Sequence, residues 1–313
     1  MRLIKDLTDG NSISGIYYCK QKVSTETKNG KPYDSIILQD KSGVLDGKVW
    51  EPYSPGIREY EAGDFIEVYG DVITYNNAKQ AKLTKIRKAD VDEYNESDYF
   101  PVTSKNIDDM FAQVTEYINS VTNTYLKSLL EEFFVKDTEL VYKFKKSSAA
   151  KTVHHGFIGG LLEHTLSVTN MCDYYAKAYP VINRDLLITA ALIHDIGKTR
   201  EISQFPENDY TDEGQFLGHI VMGCEMVSEK TANIEGFPVE LRNELKHCIL
   251  AHHGEYEYGS PKKPAIIEAV ALNFADNTDA KFENIIELFK ANTSDGWLGY
   301  NKMLDSNFKK TVI

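Results

Sequence analysis

The stretch Ala190-Ala191-Leu192-Ile193-His194-Asp195-Ile196-Gly197-Lys198 is an apolar helical run that ends in an adjacent imidazole and carboxylate. Burying either group without a partner costs several kcal/mol, so a greasy helix wall has no structural need for the pair. A cation removes the difficulty. Neutral imidazole nitrogen and ionised carboxylate oxygen are both ligands for divalent Mn, Fe, Co, Ni and Zn. Taken alone, the dipeptide reads first as a packed, hydrogen-bonded pair. Gly197 lets the chain turn out of the helix, and Lys198 sets an ammonium group beside the pair.

The other histidines change that balance. His154, His155, His164, His194, His219, His247, His252 and His253 all lie beyond residue 150. From residue 155 onward the pattern is a succession of helices, and five of them each present one piece of a site. Segment 157–175 carries His164, 185–195 the His194-Asp195 pair, 217–230 His219, 239–253 His252 and His253, and 266–289 Asp276. A helical bundle builds a metal site in this way, with ligands projecting inward from facing helices.

The 313 residues allow about two domains with ample core. A composition of 42% hydrophobic and 26% charged residues is that of a soluble globular protein. No apolar run approaches the roughly 18–20 residues of a membrane span, and Met1-Arg2-Leu3-Ile4-Lys5-Asp6 lacks the apolar core of a signal peptide, so a cytoplasmic location is expected. Cys19, Cys172, Cys224 and Cys248 are scattered and form no CxxC, which predicts reduced thiols. The net charge of −12 argues against a generally basic nucleic-acid coat, but it is uneven: residues 1–90 sum to +1 and residues 91–313 to −13. A near-neutral first domain can carry a basic stripe, and an acidic second domain can hold cations.

Residues 13–90 read as short strands, 16–23, 33–38, 44–50, 65–75 and 79–86, separated by turns at Asn29-Gly30-Lys31-Pro32, Asp40-Lys41-Ser42-Gly43 and Asn76-Asn77. Five strands without helical periodicity predict a Greek-key barrel of the OB type. Such barrels bind single strands by stacking bases on exposed aromatics along a basic groove. The candidates are Tyr17, Tyr33, Trp50 and Tyr75 with Lys20, Lys22, Lys31, Lys48, Lys79, Lys82 and Lys85. Their plain alternative is barrel core for the aromatics and solvated strand edges for the lysines. Residues 90–106 read as a linker; Asn106 caps a helix with Ile107, Met110, Phe111, Val114, Tyr117, Ile118 and Val121 on one face, and a second helix covers 125–134. The expected plan is a barrel over 1–90, a linker and helical connector over 91–150, and an all-α bundle over 151–313.

The ordered set His164, His194-Asp195, His219, His252-His253 and Asp276, with Gly159-Gly160-Leu161-Leu162-Glu163-His164-Thr165 around its first member, resembles the HD superfamily of metal-dependent phosphohydrolases. The two-metal subclass is the closer match, since single-metal members lack the middle histidines. With the barrel, the connector, Gly214-Gln215-Phe216-Leu217-Gly218-His219, Ala251-His252-His253-Gly254, Gly259-Ser260-Pro261-Lys262 and Ala275-Asp276-Asn277, nearly the whole chain resembles the YhaM-type 3′-to-5′ exoribonucleases. That resemblance implies hydrolysis of single-stranded RNA, with single-stranded DNA as a second substrate, from the 3′ end to nucleoside 5′-monophosphates. It implies two divalent ions, manganese first and Fe, Co, Ni or Zn as alternatives. His164, His194, Asp195 and Asp276 would hold one ion. Asp195 would bridge to the second, held by His219 and by His252, His253 or both. Neighbouring helical residues point about 100° apart, so the choice within that pair stays open unless the helix ends there, as Gly254 would allow.

In this reading Asp195 and Lys198 are the catalytic pair, the lysine stabilising negative charge on the attacked phosphate. His154 and His155 are expected to touch phosphate or the leaving oxygen, and Lys262, with Lys263, to line the RNA path. Asp279, one turn after Asp276, is expected at a solvated surface, and His247 on a polar helix face. Three rivals remain. One is an HD phosphohydrolase of a free or cyclic nucleotide with the barrel as a docking module. Another is a DNA-binding, replication-associated protein with a vestigial site, and the third is a di-iron oxygenase using the same ligands.

Overall fold

Alternation of buried and exposed residues builds the first unit. Strands β1 (Ser12–Glu26), β2 (Pro32–Asp40), β3 (Gly43–Val49), β4 (Phe65–Tyr75) and β5 (Ala78–Lys88) close a barrel in the order β1-β2-β3-β5-β4. The β3–β5 pair is parallel and the others are antiparallel, the strand order of an OB barrel. In β2 every second residue from Asp34 to Asp40 points inward. Tyr17, Ile36, Leu38, Val49, Ile66, Val68 and Val72 are fully buried inside. The two buried acids are satisfied: Asp40 accepts from the Ile4 N–H at 2.7 Å, and Asp34 accepts from the Tyr60 hydroxyl at 2.9 Å. This computed structural model describes residues 2–76, 78–151, 155–302 and 304–311.

The expected linker is not an open one. Phe65 stacks on Tyr94 with ring centroids 3.7 Å apart and meets Tyr99 edge-on at 4.8 Å, while Phe100 packs on Tyr18 at 5.1 Å. The Tyr99 hydroxyl donates to the Ile16 carbonyl at 3.1 Å. Aromatic burial of this size outweighs the mobility that the polar residues of 91–98 favour. The chain accordingly divides into Met1–Pro101 and Val102–Ile313, eleven residues later than the expected boundary at 90.

The second unit is mostly helical. Asn106, Asn123 and Asp137 cap α1 (Ile107–Ser120), α2 (Thr124–Glu131) and α3 (Thr138–Lys146), with a π turn over Glu132–Lys136. The helices expected as a connector belong to this unit, because Val114, Ile118, Leu126, Leu129, Leu130, Phe133 and Phe144 share one core with the helices that follow. Those are α4 (Gly160–Ala178), α5 (Arg184–Ile193), α6 (Lys198–Glu201), α7 (Asp212–Ala232), α8 (Val239–Ala251) and α9 (Ile267–Ala291), ahead of a hairpin of β6 (Trp297–Asn301) and β7 (Ser306–Lys309). In α5 every residue from Leu186 to Ile193 is buried, against α2, α4, α8 and α9, so its C-terminal end delivers His194 and Asp195 to the middle of the bundle. Among the described residues no helix is long and apolar enough to cross a membrane, and the four cysteines are buried free thiols.

Candidate metal centre

Two glycines set the site's backbone. At Gly197 a Cβ would lie 2.0 Å from the His219 carbonyl oxygen, so only glycine lets the segment after Asp195 close on α7. At Gly218 φ is +72°, which breaks α7 and restarts it at His219. Glu201 caps that new start: its Oε1 accepts from the His219 backbone N–H at 3.0 Å and faces the ring Nδ1 at 3.0 Å.

All five rings are tied down through Nδ1. His194 Nδ1 reaches the Ala191 carbonyl at 2.7 Å, His252 Nδ1 the Ile249 carbonyl at 2.6 Å, and His253 Nδ1 the Tyr258 carbonyl at 3.0 Å. A carbonyl only accepts, so in these three the proton sits on Nδ1 and Nε2 keeps a lone pair. His164 Nδ1 donates to Asp279 Oδ2 at 2.6 Å, and His219 Nδ1 pairs with Glu201. Helix α8 ends at Ala251, which turns both His252 and His253 toward His219, with ring centroids 5.7 and 5.4 Å away.

The Nε2 atoms then converge on two carboxylates. His164 Nε2 lies 3.2 Å from His194 Nε2 and 3.2 Å from Asp276 Oδ1. Asp195 Oδ2 is 3.4 Å from His164 Nε2 and 3.5 Å from His194 Nε2, whereas its Oδ1 is 3.5 Å from His219 Nε2 and 3.6 Å from His252 Nε2. The two oxygens of one carboxylate thus face two different sets of rings. Asp195 Oδ1, His219 Nε2 and His252 Nε2 are buried with no hydrogen-bond partner. Acceptors crowded against acceptors repel, and native structures rarely leave such atoms orphaned. The donor set fits divalent cations: ligand atoms of His164, His194 and Asp276 lie within 4.8 Å of one another, and so do those of His219, His252 and His253.

The charges are arranged to match. Burial opposes ionisation of Asp195, but the Lys198 ammonium, 2.6 Å from Oδ2, and the surrounding imidazoles hold its carboxyl well below the usual range. Burial pushes His252 well below its ordinary value and lowers His194 and His253, so these rings are neutral. His164 goes the other way: burial disfavours its charge, yet hydrogen bonds to Asp195, Asp276 and Asp279 raise it well above normal. A cation held there would replace that proton.

The seven residues expected as ligands, with Lys198, therefore lie together. Others are corrected. Asp279 is buried, not solvated; its Oδ2 accepts from His164 and, at 3.0 Å, from His155 Nε2, and its other oxygen from the Ser167 hydroxyl. A position three residues after Asp276 shares its helix face, which was the available signal. His155 is 1% exposed and cannot touch phosphate; it supports Asp279. His154 lies outside the described residues. Lys262 is exposed on the loop before α9, while Lys263 pairs with Glu255. His247 accepts from the Ala265 N–H at 2.8 Å. Glu201 carried no sequence signal beyond following the pair closely.

On the barrel, Tyr17 is core, its hydroxyl donating to the Arg2 carbonyl at 2.6 Å, and offers no stacking surface. Tyr33 stacks on Trp50 at 4.9 Å, and Trp50 is 41% exposed. Beside them Tyr53, absent from the sequence candidates, is 87% exposed and shares with Trp50 and Lys31 a hollow of about 440 Å³. Tyr75, Lys79 and Lys82 are exposed; of the expected Asn76-Asn77 turn, the second residue lies outside the described residues. Lys22 and Lys48 are committed to Glu61 and Asp46.

An HD domain model matches residues 161–281. The barrel is similar to the second OB-fold domain of replication protein A from Methanococcus maripaludis, at 21% identity and a TM-score of 0.24, covering 28% of this chain and 94% of that one. Its OB assignment rests on the strand order above. Over the full length, the chain is 33% identical to the 3′-5′ exoribonuclease YhaM of Listeria innocua across 91% of this chain and 90% of the relative. It is 35% identical to the protein of the same name from Bacillus velezensis, across 87% and 86%. With barrel and HD bundle both inside that shared length, the chain belongs to the YhaM family of HD-domain proteins.

Proposed function

We infer that this protein is a metal-dependent 3′-5′ exoribonuclease that shortens single-stranded RNA, with single-stranded DNA as a second substrate, to nucleoside 5′-monophosphates in the cytoplasm. The observation that carries the reading is Asp195, whose two oxygens face two separate sets of imidazole Nε2 atoms. His164, His194, Asp276 and Asp195 Oδ2 would hold one cation, and Asp195 Oδ1, His219, His252 and His253 the other. Mixed imidazole and carboxylate ligands accept divalent Mn, Fe, Co, Ni or Zn, and manganese is the ion we propose. When bound, two such ions acidify a water and neutralise charge on the phosphoryl oxygens.

The chain's own groups do the rest. Lys198 balances Asp195 and presents its ammonium to the phosphate. The buried end of α5 keeps bulk water away from the carboxylates, which strengthens each charge interaction. Water adds to phosphorus, the bond to the 3′ oxygen of the preceding nucleotide breaks, and the terminal nucleotide leaves with its 5′-phosphate. On the barrel, Tyr33, Trp50 and Tyr53 offer faces for bases, and Tyr75, Lys79 and Lys82 an exposed basic edge.

Single strands labelled at either end test the reading. With manganese, a 3′ label should appear at once as mononucleotide while a 5′-labelled strand shortens stepwise. Internal cuts, or turnover of free mononucleotides only, would contradict it. Two smaller effects accompany it. Asp279→Asn should raise the half-saturating manganese concentration about 10–100-fold, as loss of a carboxylate behind a ligating imidazole does, and leave turnover at saturating manganese largely intact; a cation titration reads both. Trp50→Ala should weaken oligonucleotide binding by about 1–3 kcal/mol, the worth of one base–aromatic stack, measurable by fluorescence anisotropy.

A further inference from the structure

A cavity of about 380 Å³ opens off the cluster of Nε2 atoms. His164, Asp276 and Lys198 are among the residues that line it, together with the next two turns of α9, Tyr258 and Leu304. Apart from Asp276, no carboxylate lines it among the described residues, so little there repels a phosphate ester. Its volume sits near the lower end of the range for a single small ligand. Helix rise of 1.5 Å per residue makes the stretch from Asn277 to Asn284 roughly 10 Å long.

Three asparagines of α9 line this cavity, and their amides differ. Asn273 donates to the His252 carbonyl at 2.7 Å and Asn284 to the Ala280 carbonyl at 2.8 Å, both committed to holding backbone. Asn277, next to Asp276 in the chain and half-buried, has a side-chain amide that makes no hydrogen bond to any described residue. Its side chain offers a donor and an acceptor together, the complement of two vicinal hydroxyls. An amide of this kind discriminates well, because a ligand lacking the hydroxyl leaves it unpaired in a narrowed space.

We propose that this cavity holds the 3′-terminal nucleoside of the strand, and that Asn277 selects ribose over deoxyribose there by hydrogen-bonding the terminal 2′,3′-diol. Tyr258, exposed at the rim, flanks the base. A pocket one nucleoside deep also sets the cut one residue from the end. The assignment rests on the exonuclease reading and refines it, naming the sugar that the site prefers.

Two single-stranded oligoribonucleotides, identical except for a 3′-terminal ribose or 2′-deoxyribose, test it through kcat/KM for removal of the first nucleotide with manganese present. The wild-type chain should favour the ribose end by about tenfold or more, the worth of one to two hydrogen bonds. Asn277→Ala should bring the ratio close to one by slowing the ribose substrate, with the deoxyribose substrate nearly unchanged. Asn277→Ser, which keeps a donor and an acceptor on a shorter arm, should restore part of the preference. A wild-type ratio near one, an unchanged ratio in Asn277→Ala, or equal slowing of both substrates overturns the assignment and leaves the exonuclease reading standing. A wild-type chain that shortens neither strand overturns both.

Discussion

Asp195→Ala is expected to slow RNA shortening by at least about 10³-fold, because it removes the one group that faces both sets of rings and with it several kcal/mol of charge stabilisation. The loss should fall on turnover. Affinity for single strands should stay within a few-fold, since the exposed aromatics Trp50 and Tyr53 lie in the other unit. Gel-based kinetics and anisotropy on the same preparation separate the two. Asp195→Ala also leaves the Lys198 ammonium without its carboxylate partner, so circular dichroism should accompany the assay to show that the bundle is intact. Retained turnover in a folded Asp195→Ala chain would refute the proposed role of the cluster.

Chelation should abolish turnover entirely and lower the melting temperature as well. Five imidazoles and two carboxylates crowd one another around His194 and Asp195, and three of their atoms are orphaned. A cation that binds only this folded arrangement adds about 2.7 kcal/mol at a hundredfold excess over its Kd. For a unit of this size that corresponds to a rise of roughly 5–10 °C when manganese is added to the chelated protein. The rise should be small in Asp195→Ala. Restoration of turnover without any thermal shift, or an equal shift in Asp195→Ala, would contradict binding at this cluster.

Much of this arrangement was legible in the sequence, for a physical reason. Ligand-bearing side chains in apolar helices are costly, so His194-Asp195 at the end of a greasy run stood out, and the remaining histidines fell at intervals of one helix plus one loop. The barrel was legible through period-two alternation and turn residues. What escaped was whatever depended on the third dimension. Asp279 read as a spare surface acid, since composition does not reveal that His155 and Ser167 come from other segments to meet it. Residues 90–106 read as a linker on their acidic and polar content, while Tyr94, Tyr99 and Phe100 were already the aromatics that seat this stretch on the barrel. Tyr17 and Trp50 looked equivalent in sequence; strand register put one inside and left the other in solvent. Glu201 was missed because its use depends on the break in α7 at Gly218.

The proposed chemistry requires five helical segments to hold a pair of cations across a single aspartate. Anomalous diffraction from crystals grown with manganese tests it most directly. Two peaks are expected flanking Asp195, one beside His164, His194 and Asp276 and the other beside His219, His252 and His253. Peaks confined to other surfaces, with neither side of Asp195 occupied at saturating manganese, would contradict it.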